Sequence, residues 1–450
     1  MAETKMTENS PFKHMVRYAV PLVLASAFQL FYNAADSIIA GRFIGREALA
    51  ATGIASPIMN LLILSISGLS IGSGVLMSQH YGAGEESKLK RALSTLLLFG
   101  LIFSISVAVI GFILTEKILM WINTPEDIMP MSITYLRIIF LATPFTYFYN
   151  ALSAALKSVG DSTTPLKFLL FSSILNLVLD IIFIGFLGFG IRCSATTTVI
   201  AEAVSALLSF YYIYRHVEIL KIRRNDWALD GSMLKTIISY GSITALQQSV
   251  QPIGKLMIQS AVNSLGVNVI AAFNAVTRID DFALTPEQSI SHAVTTFTAQ
   301  NLGAGKEKRI RTGLREGLML EILYGIFIGL VVFAFKDSVM RLFSSDAESD
   351  MVIVEGVKYL STMSLFYILP GLTNGIQGFM RGMGRMKTTL IATTIQVVLR
   401  VIFTFALIAH LGITAISLAC AIGWIAMMLF EYPYAFFFLR KRKKKFLQEG

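Results

Sequence analysis

The chain has 450 residues, of which 54% are hydrophobic and only 15% are charged, and its mean hydropathy is +0.66. Soluble proteins carry about 25% charged residues, so this composition excludes an ordinary soluble protein of two or three domains. The net charge of +10 does not indicate nucleic-acid binding, because the basic residues gather in short segments between apolar runs. Two cysteines, Cys193 and Cys420, are too few for a disulfide framework or a cysteine zinc site.

Long runs without charge predict membrane-spanning helices. Ala48 to Gly84, Leu96 to Leu114 and Val401 to Phe430 contain no acidic residue, lysine or arginine. Apolar runs of about 18 or more residues are typical of helices that cross a bilayer. We predict an all-α, multi-pass membrane protein with twelve such helices, separated by turns rich in glycine and proline and centred near residues 28, 64, 104, 142, 177, 204, 248, 285, 323, 365, 400 and 426.

The basic residues predict the orientation in the membrane. The connections after even-numbered helices are basic, as in Lys88 to Arg91, and the chain ends in RKRKKK at Arg440 to Lys445. The connections after odd-numbered helices carry few basic residues. By the positive-inside rule we expect both termini to be cytoplasmic in the plasma membrane, with the basic tail at the anionic lipids of the inner leaflet. The N-terminal stretch lacks a cleavage site and is expected to be a cytoplasmic tail.

The two halves of the chain look duplicated. SQHYGAGEESKLKRAL at Ser78 to Leu93 aligns with AQNLGAGKEKRIRTGL at Ala299 to Leu314, an offset of 221. ALKSVGDSTTPL aligns with FMRGMGRMKTTL at an offset of 224. We predict an N-terminal lobe of helices 1–6 at residues 1–222, and a C-terminal lobe of helices 7–12 with the basic tail at residues 223–450. An even number of spans per lobe implies a pseudo-twofold axis along the membrane normal, with substrate between the halves near the midplane.

The first span contains a polar stripe. Asp36 is its only charged residue between Tyr18 and Gly41, and Gln29 and Asn33 precede it at spacings that share one helical face. A charge at the centre of a membrane helix costs about 2.5–3.5 kcal/mol, so this stripe should face a cavity or a partner helix. Pro21 is expected to bend the helix.

The fifth span contains a second stripe. Ser173, Asn176 and Asp180 follow at spacings of three and four, and the Asn176 amide could donate to the Asp180 carboxylate. Burial would move either aspartate toward proton exchange. Alternatively, Asp36, Asn176 and Asp180 supply hard oxygen ligands for a small cation such as Na⁺. Tyr135 in the fourth span could donate to the same cluster, or could be an interfacial aromatic anchor.

The second half has different residues at the matching places. At the offset of 224, Arg400 aligns with Asn176 and Thr404 with Asp180, so we expect the carboxylate chemistry mainly in the N-terminal half. Arg278, Asp280 and Asp281 in the eighth span are expected to pair locally. Single acids near span middles or ends are expected to pair or to reach a head-group region: Glu202, Glu321 and Glu431. Candidates for a substrate cavity are Asn33, Gln251, Lys255 and Arg400.

Motifs of enzymes are absent from the sequence. There is no GxxxxGK[ST] phosphate loop, no HExxH, and no spacing that suggests a Ser/His/Asp set. We therefore expect a protein that is not an enzyme and has no cofactor. Its energy must come from an ion gradient, H⁺ or Na⁺, or its transport is passive.

Taken together and in order, five stretches resemble the multidrug and toxic compound extrusion (MATE) family over essentially the whole chain. They are AVPLVLASAFQLFYNAADSIIAGRFIG in the first span, GAG after the second, GDSTTP before the fifth, NLVLD within it, and QNLGAGK after the eighth. The resemblance implies two six-helix lobes in a V shape that opens alternately inward and outward. It also implies a monomer that exports organic, often cationic, drugs against inward flow of H⁺ or Na⁺.

The resemblance also implies site residues. The branch with coupling residues in the N-terminal lobe has an aspartate in the first span and an Asn-x-x-x-Asp pair in the fifth, which Asp36, Asn176 and Asp180 match. The accompanying polar residues of that branch correspond to Gln29, Tyr135 and Thr198, and its first-span bend to Pro21. Another branch relies on a glutamate in the seventh span, where this chain has Gln251.

The sequence therefore predicts a secondary active multidrug exporter whose partners are small organic cations and membrane lipids, without nucleic acid. Two alternatives stay open. A lipid-linked oligosaccharide flippase of the same superfamily is disfavoured by the carboxylates of the N-terminal half. A membrane sensor or scaffold that does not transport is disfavoured because even the longest connection has about twenty residues, too few for a signalling domain.

Overall fold

The computed structural model of the protein describes residues 5–39, 43–342 and 350–449, without the side chains of residues 33–38, 46, 49 and 443–449. The regular structure of this part is helical throughout, in thirteen α-helices. In chain order these are α1 (Pro11–Ile39), α2 (Arg46–Gly82), α3 (Glu86–Trp121), α4 (Met129–Ser158), α5 (Thr163–Asp180), α6 (Ile191–His216), α7 (Gly231–Val262), α8 (Val267–Gly303), α9 (Glu307–Arg341), α10 (Asp350–Met363), α11 (Ile368–Gly382), α12 (Met386–Leu411) and α13 (Thr414–Glu449).

The thirteen helices correspond to the twelve predicted spans. Within the described residues, nine helices are long and apolar enough to cross a membrane, and α10 and α11, bent by 53° at a short break, together make a tenth. The predicted centre at residue 365 falls on this break. The other two, α7 and α8, are 32 and 37 residues long but more polar. The expected all-α fold of twelve helices in two lobes is confirmed by this order and by the solved structures described below.

The duplication is visible in the backbone. Helices α2 and α8 both have 37 residues and begin 221 residues apart. The turns that follow them place Gly84 at φ 71° and Gly305 at φ 67°, and the later aligned pair, Gly160 and Gly384, has φ 90° and 72°. These left-handed values favour glycine, which has no Cβ to clash with the following carbonyl. Both halves therefore use a glycine in the left-handed conformation at these corresponding turns.

The structure contains two compact units. One holds Pro21–Ala245, and the other holds Met6–Val20 together with Leu246–Gly450. We call them unit 1 and unit 2. Their boundaries lie inside α1, at Pro21, and inside α7, so each unit takes the beginning of one long helix from the other half of the sequence. The lobe boundary between residues 222 and 223 stays a prediction about the halves of the chain.

The core of unit 1 packs α2, α3 and α4 around a buried tyrosine. Tyr147 is fully buried, and its hydroxyl donates to the carbonyl of Leu96 at 3.0 Å. Its ring lies directly on Gly100, where a Cβ would be only 1.7 Å from the ring atom Cε1. Ile66 of α2 belongs to the same apolar cluster. The Tyr147 ring can come this close to α3 because residue 100 is a glycine and has no Cβ.

In unit 2, the segment that leads into α1 is tied to the turn between α8 and α9. The main-chain N–H of Met6 donates to Gln300 Oε1 at 2.9 Å, and Asn301 donates to the Met6 carbonyl at 3.2 Å. The Lys306 ammonium donates to the carbonyl of Thr7 at 2.9 Å. The glutamine, asparagine and lysine all belong to the QNLGAGK motif, so that motif anchors the start of the chain.

In unit 1, the segment that leads into α7 is tied to α3. Ser94 Oγ accepts from the N–H of Ala228 at 2.9 Å, and Thr95 Oγ1 accepts from the N–H of Asp230 at 3.1 Å. Asp230 in turn caps the start of α7, because its Oδ1 accepts from the hydroxyl and N–H of Ser232 at 2.7 and 2.9 Å. In each half, a tethered segment precedes the first helix.

Candidate functional site

Helix α5 carries the predicted aspartate at its last residue. Asp161 Oδ1 accepts from the main-chain N–H groups of Thr163 and Thr164, which satisfies free donors at the start of the helix. Asn176 and Asp180 are each 1% exposed and, four residues apart, lie on one face. A π-helical turn follows directly from Ile181, a feature often found at functional sites.

A hydrogen-bonded cluster surrounds Asp180. Thr197 Oγ1 donates to Asp180 Oδ1 at 2.5 Å. The Asn176 amide is oriented by its partners, because the opposite orientation would set its oxygen against the carboxylate. Its Nδ2 then donates to Asp180 Oδ2 at 3.2 Å and to the Tyr32 hydroxyl at 2.5 Å, and its Oδ1 accepts from the main-chain N–H of Thr198 at 3.0 Å. Thr197 and Asn176 thus donate to one buried carboxylate, and Tyr32 and Thr198 hold Asn176 in place.

This arrangement suits a group whose charge changes. Burial in an apolar span opposes the ionised form of Asp180, whereas hydrogen bonds donated by Thr197 and Asn176 stabilise it. Such a balance responds to local hydration. Chemically, the cluster can exchange a proton at the Asp180 carboxyl, or it can present carboxylate and hydroxyl oxygens to a small hard cation.

The structure places the other predicted residues of the first half as follows. The side chains of Asn33 and Asp36 lie outside the described residues, so their part in the site stays a prediction. Gln29 is exposed on α1, and Pro21 lies inside that helix. Tyr135 is buried among apolar side chains of α2, α4 and α6.

Sequence reasoning missed Thr197 and Tyr32. It proposed Thr198, which joins the cluster through its main-chain N–H, while its hydroxyl donates to the carbonyl of Ser194 at 3.0 Å. One residue along an α-helix turns the side chain by about 100°, which decides between neighbours. The run of three threonines at residues 196–198 marks α6 as the donor helix, but only the rotation of α6 against α5 selects one of them.

The predicted cavity residues of α7 have partners within unit 2. Gln251 Nε2 donates to Gln396 Oε1 at 3.0 Å. The Lys255 ammonium lies 2.6 Å from Asp281 Oδ1, in an ion pair whose two side chains are about half exposed. The expectation that Asp281 would pair with its neighbours on α8 is therefore wrong, because Asp281 forms its ion pair with Lys255 of α7.

Asp280, next in the chain to Asp281, is the centre of a different cluster. The hydroxyls of Tyr359 and Tyr367 donate to its two carboxylate oxygens, each at 2.6 Å. Arg400 of α12 interacts electrostatically with it and also contacts the Cys420 thiol. Local pairing of Asp280 is thus a wrong prediction too. Both tyrosines come from the broken tenth span, whose bend brings them to one carboxylate.

Unit 2 buries further acids. The side chains of Glu287, Glu321 and Glu431 are all 0% exposed, and Asp280 is 8% exposed. The sequence led us to expect that these acids pair or reach a head-group region. Glu431 pairs, because it interacts electrostatically with Arg381, whereas the buried carboxyl of Glu321 does neither in the described structure. Buried carboxyl groups therefore occur in the second half as well, where we expected few. Sequence reasoning did not weigh Glu287 at all, although it stands directly after Pro286 inside a span.

A metal centre built from several classical ligands is not found where the structure is described. In those residues no group of three or more His, Cys, Asp or Glu side chains is placed to hold a metal ion. The predicted Na⁺ ligands include Asp36, whose side chain is not among them. The Na⁺ site therefore stays a prediction.

Comparison with known proteins places the chain in a family. The MatE family model matches residues 21–182 and again residues 244–406, once in each half. Two relatives from Bacillus subtilis (strain 168) are the probable multidrug resistance protein YpnP, 30% identical with 96% of each chain covered, and the probable multidrug resistance protein YoeA, 28% identical with 98% of this chain and 96% of the relative covered.

Solved structures agree on the fold. A crystal structure of MATE in complex with MaL6 superposes with a TM-score of 0.91, at 22% identity, over 98% of this chain and 99% of the other. An outward-facing multidrug resistance MATE family transporter also gives 0.91, at 22% identity and 98% coverage of both chains. With the family match in both halves, these findings show that the chain belongs to the MatE family, as a membrane transporter and not an enzyme.

Proposed function

We propose that this protein exports amphipathic, often cationic, organic compounds from the cell in exchange for H⁺ or Na⁺. The relatives named as multidrug resistance proteins support the substrate class. The observation that carries the ion coupling is the cluster of Asn176, Asp180, Thr197 and Tyr32, where the spans α1, α5 and α6 meet around a buried carboxylate. A carboxylate in a membrane span costs free energy, so we assign Asp180 a role beyond packing.

Coupling follows from the two charge states of Asp180. With an ion bound, the cluster is close to neutral and tolerates a dry environment. Without it, the carboxylate favours conformations that hydrate it or bring a cationic substrate near. A ligand shifts a conformational equilibrium only by its differential affinity for the two states. Proton or Na⁺ binding at Asp180 supplies such a difference, and alternating access turns it into transport.

The identity of the ion depends on the oxygen donors. Asp180 offers two carboxylate oxygens, while the Asn176 oxygen already accepts from the main chain. Protonation needs only one oxygen of Asp180. Na⁺ would need further oxygens, for which the Tyr32 hydroxyl and the predicted ligand Asp36 are the candidates. Both ions therefore belong to the proposal, and a transport measurement decides between them.

The direction of transport follows from the ion gradient, because an inward flow of ions drives compounds outward in exchange. We place both termini and the basic connections on the cytoplasmic side of the plasma membrane, with the tail of Arg440 to Lys445 against anionic lipids. A protein oriented this way and driven by an inward ion gradient expels compounds from the cytoplasm. We expect it to act as a monomer, because each chain carries both halves of the duplicated fold.

The test is dye efflux from vesicles that contain the purified protein. A pH gradient and a Na⁺ gradient are imposed separately, and the rate of efflux of a cationic dye is followed. We expect one gradient to drive efflux by the unaltered protein. Asp180→Asn and Asp36→Asn should abolish the gradient-driven rate while dye binding, measured by fluorescence polarisation, persists.

The matched control is Asp127→Asn, in the connection between α3 and α4, which should transport like the unaltered protein. Undiminished gradient-driven export by Asp180→Asn contradicts the coupling assignment. A failure of the unaltered protein to move any dye with either gradient contradicts the exporter. Dye binding without movement is the outcome expected of a sensor.

A further inference from the structure

Unit 2 contains two glutamates that share one buried place. Glu287 of α8 and Glu321 of α9 are both 0% exposed. No hydrogen-bond partner in the described structure reaches any of their four carboxyl oxygens. Both pack on Gly371 of α11, where a Cβ would lie 3.3 Å from Glu321 Cβ and 3.5 Å from the carboxyl carbon of Glu287. The two side chains therefore meet on the same glycine.

The tyrosine hydroxyls around this pair donate their hydrogen bonds to other groups. The Tyr324 hydroxyl of α9 donates to the carbonyl of Ala283 at 2.9 Å, and Tyr367 donates to Asp280. On α11, the Asn374 side chain faces Glu287 without reaching hydrogen-bond geometry. These groups are polar or acidic, so they do not supply a positive charge to the two glutamates.

A buried cation of α11 interacts with a different acid. Arg381 of α11 donates to Ser291 Oγ at 2.7 Å and interacts electrostatically with Glu431. Glu431 thus has a compensating charge in the same helix bundle. Among the described residues, the groups that act on Glu287 and Glu321 include no lysine, arginine or histidine. The pair is uncompensated.

Two uncompensated carboxylates cannot both be ionised in such a place. An isolated buried charge is so costly that the group takes up a proton instead, and a second like charge in contact adds repulsion. Paired carboxyl groups in proteins meet this problem by sharing a proton. At least one proton must therefore reside on Glu287 or Glu321 in the folded protein.

The fold itself does not require acids at this place, as the duplicated half shows. At the offset of 221, Glu287 corresponds to Ile66 and Glu321 to Gly100, and at 224, Gly371 corresponds to Tyr147. Unit 1 fills the equivalent space with the Tyr147 ring on Gly100, inside an apolar cluster that contains Ile66. The second half has exchanged this apolar packing for two carboxyl groups on a glycine.

We propose that Glu287 and Glu321 form a proton-binding pair in unit 2 that exchanges a proton with water during transport. In the exchange, a carboxyl O–H bond breaks and the proton passes to a water molecule. The pair then carries a single negative charge, because the other acid keeps its proton and stays neutral. Proton occupancy of the pair is independent of the proposed export, and only its exchange during transport rests on that function.

The test is infrared spectroscopy of the full-length protein in lipid nanodiscs, with glutamate labelled by ¹³C at the side-chain carboxyl. We expect a protonated-carboxyl band at neutral pH that moves with the label, titrates at higher pH and shifts in D₂O. Glu287→Gln and Glu321→Gln should each reduce this band, and the double variant should reduce it further, by the share that belongs to the pair. Glu355→Gln is the matched control and should keep the band, because the Glu355 carboxylate forms an ion pair with Lys358 on α10.

Each result decides the inference. A double variant that keeps the full band overturns it, as does a band that neither titrates nor exchanges. Glutamine matches the shape of a protonated glutamate, so both single variants should fold. Loss of folded protein in both, judged by size-exclusion chromatography, means that the acids are needed in charged form and also overturns it.

The transport arm separates this inference from the proposed function. In dye-efflux vesicles, the rate of either glutamine variant should no longer vary with pH over the range in which the band titrates. An unchanged pH profile in both variants overturns the exchange during transport. If the unaltered protein moves no dye but shows the band, the proposed function fails and the proton-binding pair stands.

Discussion

The contact between α5 and α6 in the first half and the contact between α12 and α13 in the second half are built on one plan but carry opposite charges. At the offset of 224, Asn176 and Asp180 correspond to Arg400 and Thr404, and Thr197 corresponds to Ala421, which is next to Cys420. In unit 1 a carboxylate is held by neutral donors. In unit 2, Arg400 contacts the Cys420 thiol and interacts electrostatically with the Asp280 carboxylate of α8.

The difference shows what duplication leaves free to vary. Helices α2 and α8 have the same length, and both halves keep the same left-handed turns, so the polar residues can change without a change of fold. In unit 1, hydrogen bonds from Thr197 and Asn176 hold the Asp180 carboxylate, an arrangement that suits reversible ion binding. In unit 2, Arg400 interacts electrostatically with Asp280, and the uncompensated acids lie on α8 and α9 instead.

The largest effect should come from substituting the two corresponding packing sites, Gly100 under the Tyr147 ring in unit 1 and Gly371 beside the two glutamates in unit 2. In Gly100→Ala the new Cβ would lie 1.7 Å from a ring that is fully buried and hydrogen-bonded, whereas in Gly371→Ala the nearest atoms lie at 3.2 Å or more. We expect Gly100→Ala to cost more than about 3 kcal/mol and to abolish folded protein, and Gly371→Ala to cost about 1 kcal/mol. Thermal unfolding followed by size-exclusion chromatography measures both.

Gly53→Ala is the control for helix propensity, because Gly53 lies in α2 with no atom near its would-be Cβ. It should be neutral or slightly stabilising. Equal losses in Gly100→Ala and Gly371→Ala would break the comparison, since they would mean that the two places are packed alike.

The next effect tests the charge pair of unit 2. Arg400→Met should destabilise the protein by about 2 kcal/mol, because it leaves Asp280 with two tyrosine donors but no cation. In the double variant with Asp280→Asn, part of this loss should be recovered, since the tyrosines can still donate to the amide oxygen. A double-mutant cycle on the unfolding temperature measures the coupling. Strictly additive losses would show that the two residues do not interact.

A smaller effect should distinguish two neighbouring threonines of α6. Thr197→Val removes the hydroxyl that donates to Asp180 and should change the gradient-driven efflux rate by roughly tenfold, the worth of about 1.4 kcal/mol at one hydrogen bond. Thr198→Val removes a hydroxyl that bonds only within α6, and should change the rate less than threefold. The opposite order would mean that α6 is rotated by one residue relative to the cluster described.

The smallest effect concerns the segment before α7. Hydrogen bonds from the Ser232 side chain and the Met233 main chain hold the pKa of Asp230 below its ordinary value of 3.8. Because the folded pKa is lowered, its contribution to stability is complete above that value and is lost as the pH falls through the lowered pKa.

Asp230→Asn keeps the cap and removes the charge, so it should be nearly neutral at pH 7 and should remove this acid sensitivity. Amide hydrogen exchange at the start of α7, measured between about pH 5 and about pH 3, is the readout. Asp127→Asn should leave the sensitivity unchanged. A persistent acid loss in Asp230→Asn would assign it to another group.

The sequence predicted the helices, their number and the repeat, because these rest on local signals. Hydropathy marks the spans, and glycines at positive φ mark the turns. The partners within the bundle were not predictable in the same way. Tyr359 and Tyr367 reach Asp280 across 79 and 87 residues. Asn176 and Asp180 were placed together correctly because both lie on one helix, whereas Glu287 and Glu321 meet only when three helices pack.

The tethered segments before α1 and α7 have a consequence for cutting the chain. Unit 1 needs the beginning of α7, and unit 2 needs Met6–Val20 of the first half, so a polypeptide ending near residue 222 and one starting there would each lack a piece of its own core. Produced alone, neither fragment should fold. Produced in the same cell, each supplies what the other lacks, and the two should be recovered as one stoichiometric complex without a peptide bond between them.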